Sequence, residues 1–307
     1  MAQAPATSKT RRRLLEWGAG TLGSNWLLTR RKLHPAEKAA LKLRMLGRLP
    51  GKPKEPHFAI LIPLVGPGDV GDWDAVTRRL TRTVESFKRQ EYRRWTAFVC
   101  CQERPPLPWS SHLRYTPFRD AVEGNDKWAK LRTLAKAMTE LRDDDPQGFA
   151  MSFDADDLLA DGQLANMAQR KTSGGHLVTQ GYVADIGEDR IALARPQSVS
   201  QPGQKAFWKL CGSSAAFRYD LRHGMKTELA FLAAALSHEH RMFPHLAALS
   251  GRPLRPLDDP AVLYLLNHGE NFGARRGRTE FKQRFANRFE ITDPDQLDEI
   301  RTKFPPF

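Results

Sequence analysis

Cysteine is scarce in this chain of 307 residues: Cys100 and Cys101 are adjacent, and Cys211 stands alone. Because neighbouring residues of a strand point to opposite faces, this spacing excludes a disulfide framework and predicts the reduced thiols of a cytoplasmic protein. No Cys/His spacing of the zinc-finger kind occurs. Runs of about 18 apolar residues are also absent, which excludes a membrane-spanning helix, and the N-terminus lacks the apolar core of a secretory signal.

Acidic residues are nearly absent from one end of the chain. Residues 1–54 contain 13 Lys and Arg but only Glu16 and Glu37, a net charge of +11, whereas residues 55–307 carry a net charge of +2. The basic charge therefore belongs to an N-terminal arm. Because the body has no basic excess and the arm has no recognisable binding module, we expect no nucleic-acid partner.

The arm alternates basic clusters with apolar side chains such as Leu14, Trp17 and Trp26. This composition is typical of an interfacial helix on an anionic membrane, which would place the protein at the inner face of that membrane. It is equally typical of helices that pack on the body and turn Lys and Arg towards water. The sequence leaves both interpretations open.

A Pro/Gly/Lys-rich linker, "LPGKPKEP", ends the arm. We therefore predict three parts: a basic helical arm and linker over residues 1–54, a main domain over 55–274, and a charged peripheral tail over 275–307. No internal repeat divides the main domain further.

Short apolar runs in the main domain predict buried strands, first "HFAILIPLV" and then "WTAFVCCQ", with an amphipathic helix from Asp74 between them. This order predicts an α/β fold with a mixed, mostly parallel sheet flanked by helices. Further along, "HLVTQGYVAD" and "DRIALARP" predict the two strands of a hairpin, and residues 227–243 predict one helix.

An acidic cluster follows a third predicted strand in "FAMSFDADDLLADGQL". Ligands of open α/β sheets bind beyond the C-terminal ends of strands. On an extended chain Asp154 and Asp156 face the same side, so both carboxylates can reach one Mg²⁺ or Mn²⁺ ion whose coordination substrate phosphates complete. The alternative is a structural role, in which Asp157 and Asp161 serve the following helix and Asp161 is its N-cap.

Three features follow one another in order: Pro63 at the end of the first strand, the Ser86/Gln90/Tyr92 pattern at the exit of the first helix, and Asp154-Ala155-Asp156. This order resembles that of family 2-like glycosyltransferases of the GT-A fold. The resemblance covers about residues 56–170 well and extends more loosely to about residue 272. It implies a Rossmann-like GT-A sheet, a nucleotide-diphosphate sugar donor with a UDP-sugar favoured, and a Mn²⁺ or Mg²⁺ ion at Asp154 and Asp156.

The resemblance also implies a reaction and the residues that perform it. The sugar moves with inversion to an acceptor hydroxyl of a glycan or a lipid-linked molecule, and a side chain takes the hydroxyl proton. Glu239 is the first candidate for this base and His240 the second, and His268 is a candidate metal or diphosphate ligand. The implied donor-binding residues are Pro63, Leu64, Val65, Gln102, Lys127, Lys130 and Asp154, and the implied acceptor-side residues are Gly212, Ser213 and Ser214.

Alternatives remain for several of these residues. Lys127 and Lys130 also fit a solvated helix face, and His268 also fits a turn. Where relatives end the second strand with an Asp that reads the base, this chain has Gln102, which leaves the base open. Two other functions stay open: a nucleotidyltransferase that releases pyrophosphate, and a catalytically silent protein that binds a nucleotide or a glycan.

Overall fold

The computed structural model describes residues 5–47, 49, 51, 53–266 and 279–307. In these residues the helices are α1 (Lys9–Thr21), α2 (Ser24–Arg30), α3 (Pro35–Met45), α4 (Trp73–Lys88), α5 (Lys127–Ala137), α6 (Gln163–Gln169), α7 (Met225–Leu236), α8 (Phe243–Leu249), α9 (Thr279–Arg288) and α10 (Pro294–Lys303). The strands are β1 (His57–Pro63), β2 (Trp95–Cys101), β3 (Leu113–Pro117), β4 (Gln147–Ser152), β5 (Leu158–Leu159), β6 (Gly175–Val178), β7 (Gly181–Asp185), β8 (Arg190–Ala194), β9 (Ala215–Asp220), β10 (Arg255–Leu257) and β11 (Val262–Leu266).

Seven strands form a central sheet in the order β10-β6-β9-β4-β1-β2-β3. β1 pairs in parallel with both β2 and β4, and β9 runs antiparallel between β4 and β6. All seven residues of β1 are buried, as expected for a strand that helices cover on both faces. The predicted α/β fold, with a mixed, mostly parallel sheet of the Rossmann-like kind, is confirmed.

The side chains of β1 divide between two hydrophobic cores. Phe58, Ile60 and Ile62 pack into one core, and Ala59 and Leu61 pack into the other. On the first side α4 contributes Val76, Leu80, Val84 and Phe87, which confirms the predicted amphipathic helix. The second side is covered by α5, α7 and the N-terminal arm. Thus α4 and the arm lie on opposite faces of the central sheet.

A second sheet of four strands has the order β5-β11-β7-β8. The prediction of one strand over "HLVTQGYVAD" is wrong, because the chain passes from the central sheet to the second sheet between β6 and β7. Thr179 fixes this crossing by donating a hydrogen bond from Oγ1 to the Leu257 carbonyl, 2.6 Å away. At Gly181 a Cβ would lie 2.4 Å from the Phe207 ring, so only glycine fits. The predicted hairpin is confirmed as the antiparallel pair of β7 and β8.

The prediction of one helix over residues 227–243 is also wrong. α7 ends at Leu236, a 3₁₀ turn covers His240–Met242, and α8 begins at Phe243. Pro244 has no N–H to continue a preceding helix, whereas it suits the first turn of a new one. The break places Glu239 and His240 in a turn.

The arm forms the three helices α1, α2 and α3, so the predicted basic helical arm is confirmed. α1 packs against α8, and α3 packs against α7 and α8. Leu15, Leu27 and Leu41 of the arm are buried in the second core. In the described part of the chain no helix combines the length and the apolar character needed to cross a bilayer.

The predicted domain boundaries at residues 54 and 274 stay predictions. Beyond the second boundary, α9 packs against β7 and β8. Ile300 and Phe304, at and after the end of α10, are buried beside Tyr182 of β7.

Candidate active site

The acidic loop, residues 153–157, lies where β4 ends in the central sheet and leads to β5 of the second sheet. β1 and β2 run parallel to β4, so the loops that follow them lie at the same edge. This is the edge at which open α/β sheets bind ligands. The sequence-predicted residues meet here because three chain segments end side by side.

Helix α4 holds the acidic loop through backbone hydrogen bonds. Thr83 donates from Oγ1 to the carbonyls of Ala155 and Asp157, both at 2.9 Å. The Ser86 hydroxyl accepts from the Leu159 N–H at 3.1 Å. Ser86, part of the pattern that resembled the glycosyltransferase family, therefore fixes the backbone that carries the acidic residues.

Gln90 of the same pattern is completely buried: its amide donates to the Ala160 carbonyl at 3.0 Å and accepts from the Leu164 N–H at 3.2 Å. Replacing Gln90 with methionine leaves both backbone groups buried without these partners. We expect the free energy of unfolding, measured by urea denaturation, to fall by about 2–4 kcal/mol. The control, Gln169→Met at the exposed end of α6, should change it by less than about 0.5 kcal/mol. Equal effects of the two substitutions would contradict the assignment.

Asp157 is fully buried at the base of the loop. Its Oδ2 accepts from Ser213 Oγ at 2.5 Å and from Cys211 Sγ at 3.1 Å, and its Oδ1 has no hydrogen-bond partner in the described residues. Burial raises the pKa of Asp157 well above its ordinary value, and the charges of Asp156 and Asp154 raise it further. A cation that binds here would relieve this repulsion.

The structural alternative for Asp161 is wrong. The N-cap of α6 is Gly162, in the left-handed region at φ 74°, with no side-chain cap. Asp161 pairs instead with Arg89, the residue directly after α4, at 2.5 Å. This pair ties the segment after the acidic loop to the same helix that holds the loop itself.

Lys127 and Lys130 begin α5 and point to the acidic loop and to β1. Lys127 Nζ lies 2.6 Å from Asp154 Oδ1. Burial would lower the pKa of Lys127, but the carboxylates, Asp154 first, outweigh it and raise this pKa. Lys130 is completely buried and donates to the Leu64 carbonyl and to Asp126, both at 2.6 Å. A solvated helix face is therefore wrong for Lys130.

The predicted donor-binding residues that follow β1 and β2 meet at the same place. The Val65 carbonyl accepts from Cys101 Sγ at 3.4 Å, and Pro63 pairs with Cys100 in the sheet. Gln102 donates to Asp126 Oδ2 at 2.7 Å. Asp126, which sequence reasoning missed, thus joins Gln102 to Lys130.

The acceptor-side residues lie on the other side of the acidic loop. Ser213 Oγ accepts from the Asp154 N–H at 2.8 Å while it donates to Asp157, so it fixes both. A Cβ at Gly212 would lie 3.9 Å from Asp154 Oδ2, which places this glycine against the carboxylate. Ser214 is buried, and its hydroxyl has no partner in the described residues.

The two candidate bases, Glu239 and His240, differ in the hydrogen bonds and ion pairs that their side chains make. Glu239 accepts from the Ala6 N–H at 2.7 Å and forms an ion pair with Arg241. Burial opposes ionisation of Glu239, but these two contacts lower its pKa below the ordinary value. Its carboxylate therefore anchors the start of the arm.

His240 presents a different arrangement. Burial lowers its pKa to about 4 against the effect of a hydrogen bond to the Lys209 carbonyl, and the charges of Lys282 and Lys127 lower it further. Nε2 of His240 is buried and has no hydrogen-bond partner in the described residues. Near neutral pH His240 is a neutral imidazole whose Nε2 lone pair is available. His268 lies outside the described residues.

Tyr264 of β11 and Lys282 of α9 were missed by sequence reasoning. Lys282 donates to the Tyr264 hydroxyl, and its Nζ lies 4.3 Å from the centre of the ring. Burial raises the pKa of Tyr264 well above its ordinary value, and the carboxylates of Asp157, Asp156 and Asp154 add to this effect. Both residues are therefore close enough to feel the charges of the acidic loop, although neither is near it in sequence.

The carboxylates of the acidic loop can bind a hard divalent cation only if substrate phosphates and water supply further ligands. In the described part of the chain no three His, Cys, Asp or Glu side chains are arranged to hold a metal ion alone. Mg²⁺ typically takes one or two carboxylates and completes its shell with water and substrate phosphates. Asp154 and Asp156 supply carboxylates of the kind that such a shared ion takes, although Asp154 Oδ1 already binds Lys127 Nζ at 2.6 Å.

Neither a family model nor a curated protein matches the chain. Among solved structures, the chain is similar to the crystal structure of 4-diphosphocytidyl-2C-methyl-D-erythritol synthase, at 15% identity, over 74% of this chain and 99% of that one, with a TM-score of 0.34. A likeness of this degree carries no weight for function. Any functional conclusion therefore depends on the side chains at the edge of the sheet.

Proposed function

We propose that the protein is a glycosyltransferase that moves a sugar from a nucleotide-diphosphate donor to an acceptor hydroxyl. The observation that carries this proposal is the set of groups around the acidic loop. The Lys127–Asp154 pair and the buried Lys130 lie at the ligand-binding edge of the sheet, and the charge of Lys127 contributes to keeping His240 neutral by lowering its pKa. These groups supply what a diphosphate leaving group and an attacking hydroxyl require.

The lysines and carboxylates have different proposed roles in binding the donor. Lys127 is the cation beside Asp154, and we assign it to the negative charge that grows on the departing diphosphate. Asp154 and Asp156 would hold a Mn²⁺ or Mg²⁺ ion, which when bound neutralises part of the same charge. Lys130 positions the β1 loop through the Leu64 carbonyl.

His240 is the better base of the two candidates. Its Nε2 has no other partner in the described residues, whereas the Glu239 carboxylate already binds Ala6 and Arg241. In the proposed step the acceptor oxygen bonds to the anomeric carbon, the bond from that carbon to the diphosphate oxygen breaks, and the hydroxyl proton passes to Nε2. A direct displacement of this kind inverts the anomeric centre.

A ligand-binding assay tests the donor site. Thermal unfolding should be measured with nucleoside diphosphates and nucleotide sugars, each with and without Mn²⁺. At about 100 times its Kd the correct ligand should stabilise the protein by about 2.7 kcal/mol. Asp154→Asn should remove this shift, whereas Asp298→Asn, at a side chain 76% exposed on α10, should keep it.

The product then separates the remaining alternatives. A glycosyltransferase releases a nucleoside diphosphate from the stabilising nucleotide sugar, whereas a nucleotidyltransferase releases pyrophosphate from a nucleoside triphosphate. If no nucleotide shifts the unfolding temperature in the presence or absence of Mn²⁺, the proposed function is wrong.

A further inference from the structure

The outward face of the N-terminal arm carries an unusual concentration of exposed apolar side chains. Leu14 is 63% exposed, Trp17 62%, Leu22 47% and Trp26 38%. We call these four residues the arm patch. In the described part of the chain nine large apolar side chains are exposed, and six of them lie in residues 5–47. Exposed large apolar side chains that cluster in this way mark an interaction surface.

The arm patch is not a side effect of poor packing in the arm. Leu14 and Trp17 lie one turn apart on α1, whereas Leu15, Gly18 and Ala19 of the same helix are buried. In α2, Leu27 is buried next to the exposed Trp26. Thus α1 has one face packed on α8 of the body, α2 packs on α1 and α3, and each helix still exposes apolar side chains.

Both carboxylates of the arm, Glu16 and Glu37, already have hydrogen-bond partners. Glu37 is completely buried and accepts from Arg11 at 2.7 Å. Glu16 binds His245 of α8 at 2.6 Å. Residues 5–47 contain no other carboxylate, so none remains in this segment to neutralise basic groups on the outward face.

The segment that carries the arm patch also exposes many basic side chains. Of the ten Lys and Arg in residues 5–47, seven are exposed. The guanidinium of one of them, Arg31, lies 5.5 Å from the centre of the Trp26 ring. The seven are Lys9, Arg13, Arg30, Arg31, Lys32, Lys38 and Lys42.

We propose that the arm patch docks on an anionic lipid bilayer. Trp and Leu side chains enter the headgroup and acyl boundary, while exposed Lys and Arg bind anionic headgroups. The positive charge of the segment, whose two carboxylates are already paired with Arg11 and His245, is complementary to such a surface. This inference does not depend on the proposed function, because docking requires neither a nucleotide nor a metal ion.

Sedimentation with vesicles tests the proposal on the full chain. We expect binding to vesicles of equal parts phosphatidylcholine and phosphatidylglycerol, and little binding to phosphatidylcholine alone. Raising the salt from about 0.1 M to about 1 M, which shortens the Debye length from about 10 to about 3 Å, should release the protein. The double variant Arg13→Glu/Arg30→Glu should lower the partition coefficient by about tenfold or more.

Matched variants separate the arm patch from general surface chemistry. Trp17→Ala should weaken vesicle binding several-fold, whereas Val199→Ala, at an exposed apolar side chain outside the arm, should not. Arg82→Glu, exposed on α4 across the central sheet, controls for charge. Circular dichroism should confirm that every variant is folded.

Three results would overturn the proposal. The first is equal binding to neutral and anionic vesicles, and the second is equal binding by Arg13→Glu/Arg30→Glu and Arg82→Glu. The third is self-association without lipid that Trp17→Ala abolishes, seen by sedimentation velocity, since a second copy of the chain would then be the occupant. None of these results bears on nucleotide binding, so the proposed function fails or stands on its own assay.

Discussion

Replacing His240 with glutamine should lower kcat by about 10²–10⁴-fold with the nucleotide sugar that stabilises the protein. Glutamine retains a hydrogen-bond donor for the Lys209 carbonyl, but it has no nitrogen that can take the proton of an acceptor hydroxyl. Steady-state kinetics should show the loss mainly in kcat, because the proposed donor-binding residues Lys127 and Asp154 are unchanged. A loss confined to KM would contradict the assignment of His240 as the base.

The buried environment of His240 also predicts how kcat/KM depends on pH. Burial and the neighbouring lysines lower the pKa of His240 to about 4. The side chain is therefore neutral above this value and protonated below it. We expect kcat/KM of the wild type to rise with pH through an apparent pKa near 4, and not near the ordinary histidine value of about 6.5. This limb of the profile should be absent in the His240→Gln variant.

Glu239 offers the matched control, since it adjoins His240 and was the stronger candidate from sequence. Its carboxylate binds Ala6 and Arg241. We expect Glu239→Gln to change kcat by only a few-fold. If Glu239→Gln abolishes turnover and His240→Gln does not, the roles of the two residues are the reverse of those proposed.

Replacing Arg252 with methionine should destabilise the protein by about 3–5 kcal/mol near neutral pH. Arg252 Nη1 lies 2.7 and 3.0 Å from the two carboxylate oxygens of Glu228 in α7, and both side chains are buried. Without the guanidinium, Glu228 loses its ion pair and both hydrogen bonds, so the variant must either bury an unpaired charge or take up a proton. Urea denaturation measures the change in the free energy of unfolding.

The size of this loss should depend on pH in a defined direction. Burial raises the pKa of Glu228 to about 7, even though Arg252 opposes the rise. Without Arg252 this pKa rises further, so lowering the pH from 8 to 5 protonates Glu228 and removes its unpaired charge. The deficit of Arg252→Met relative to the wild type should therefore be smaller at pH 5 than at pH 8.

An exposed ion pair supplies the contrast. Lys303 and Glu299 pair at 2.5 Å on α10, with side chains 46% and 63% exposed. Lys303→Met should cost less than about 1 kcal/mol. If it costs as much as Arg252→Met, burial is not the source of the effect.

The elements that the sequence predicts well are those in which each face of the strand or helix keeps one environment along its whole length. β1, α4 and β2 follow from apolar runs and helical spacing because each keeps one environment along its length. β6 and β7 were merged because the chain changes sheets at Thr179 without losing its alternating pattern. Such a change depends on distant segments, and a local pattern does not record it.

The candidate site shows the same division. Asp154, Lys127 and Ser213 could be chosen in advance, because short motifs and chain order place them near the ends of strands. Tyr264 and Lys282 could not, since they reach the acidic loop only through the second sheet and the packing of α9. Likewise, that Glu239 anchors the arm is decided by Ala6, at the other end of the chain.

The turn that carries His240 is held from both sides by the start of the chain. The Ala6 N–H binds the Glu239 carboxylate at 2.7 Å, and Arg12 Nη1 binds the Arg241 carbonyl at 3.2 Å. The first helix and the residues before it are therefore hydrogen-bonded to both neighbours of His240. A displacement of α1 from the body would strain or break these two hydrogen bonds. A contact made by α1 with another surface would therefore also act on the backbone that carries His240, the proposed base.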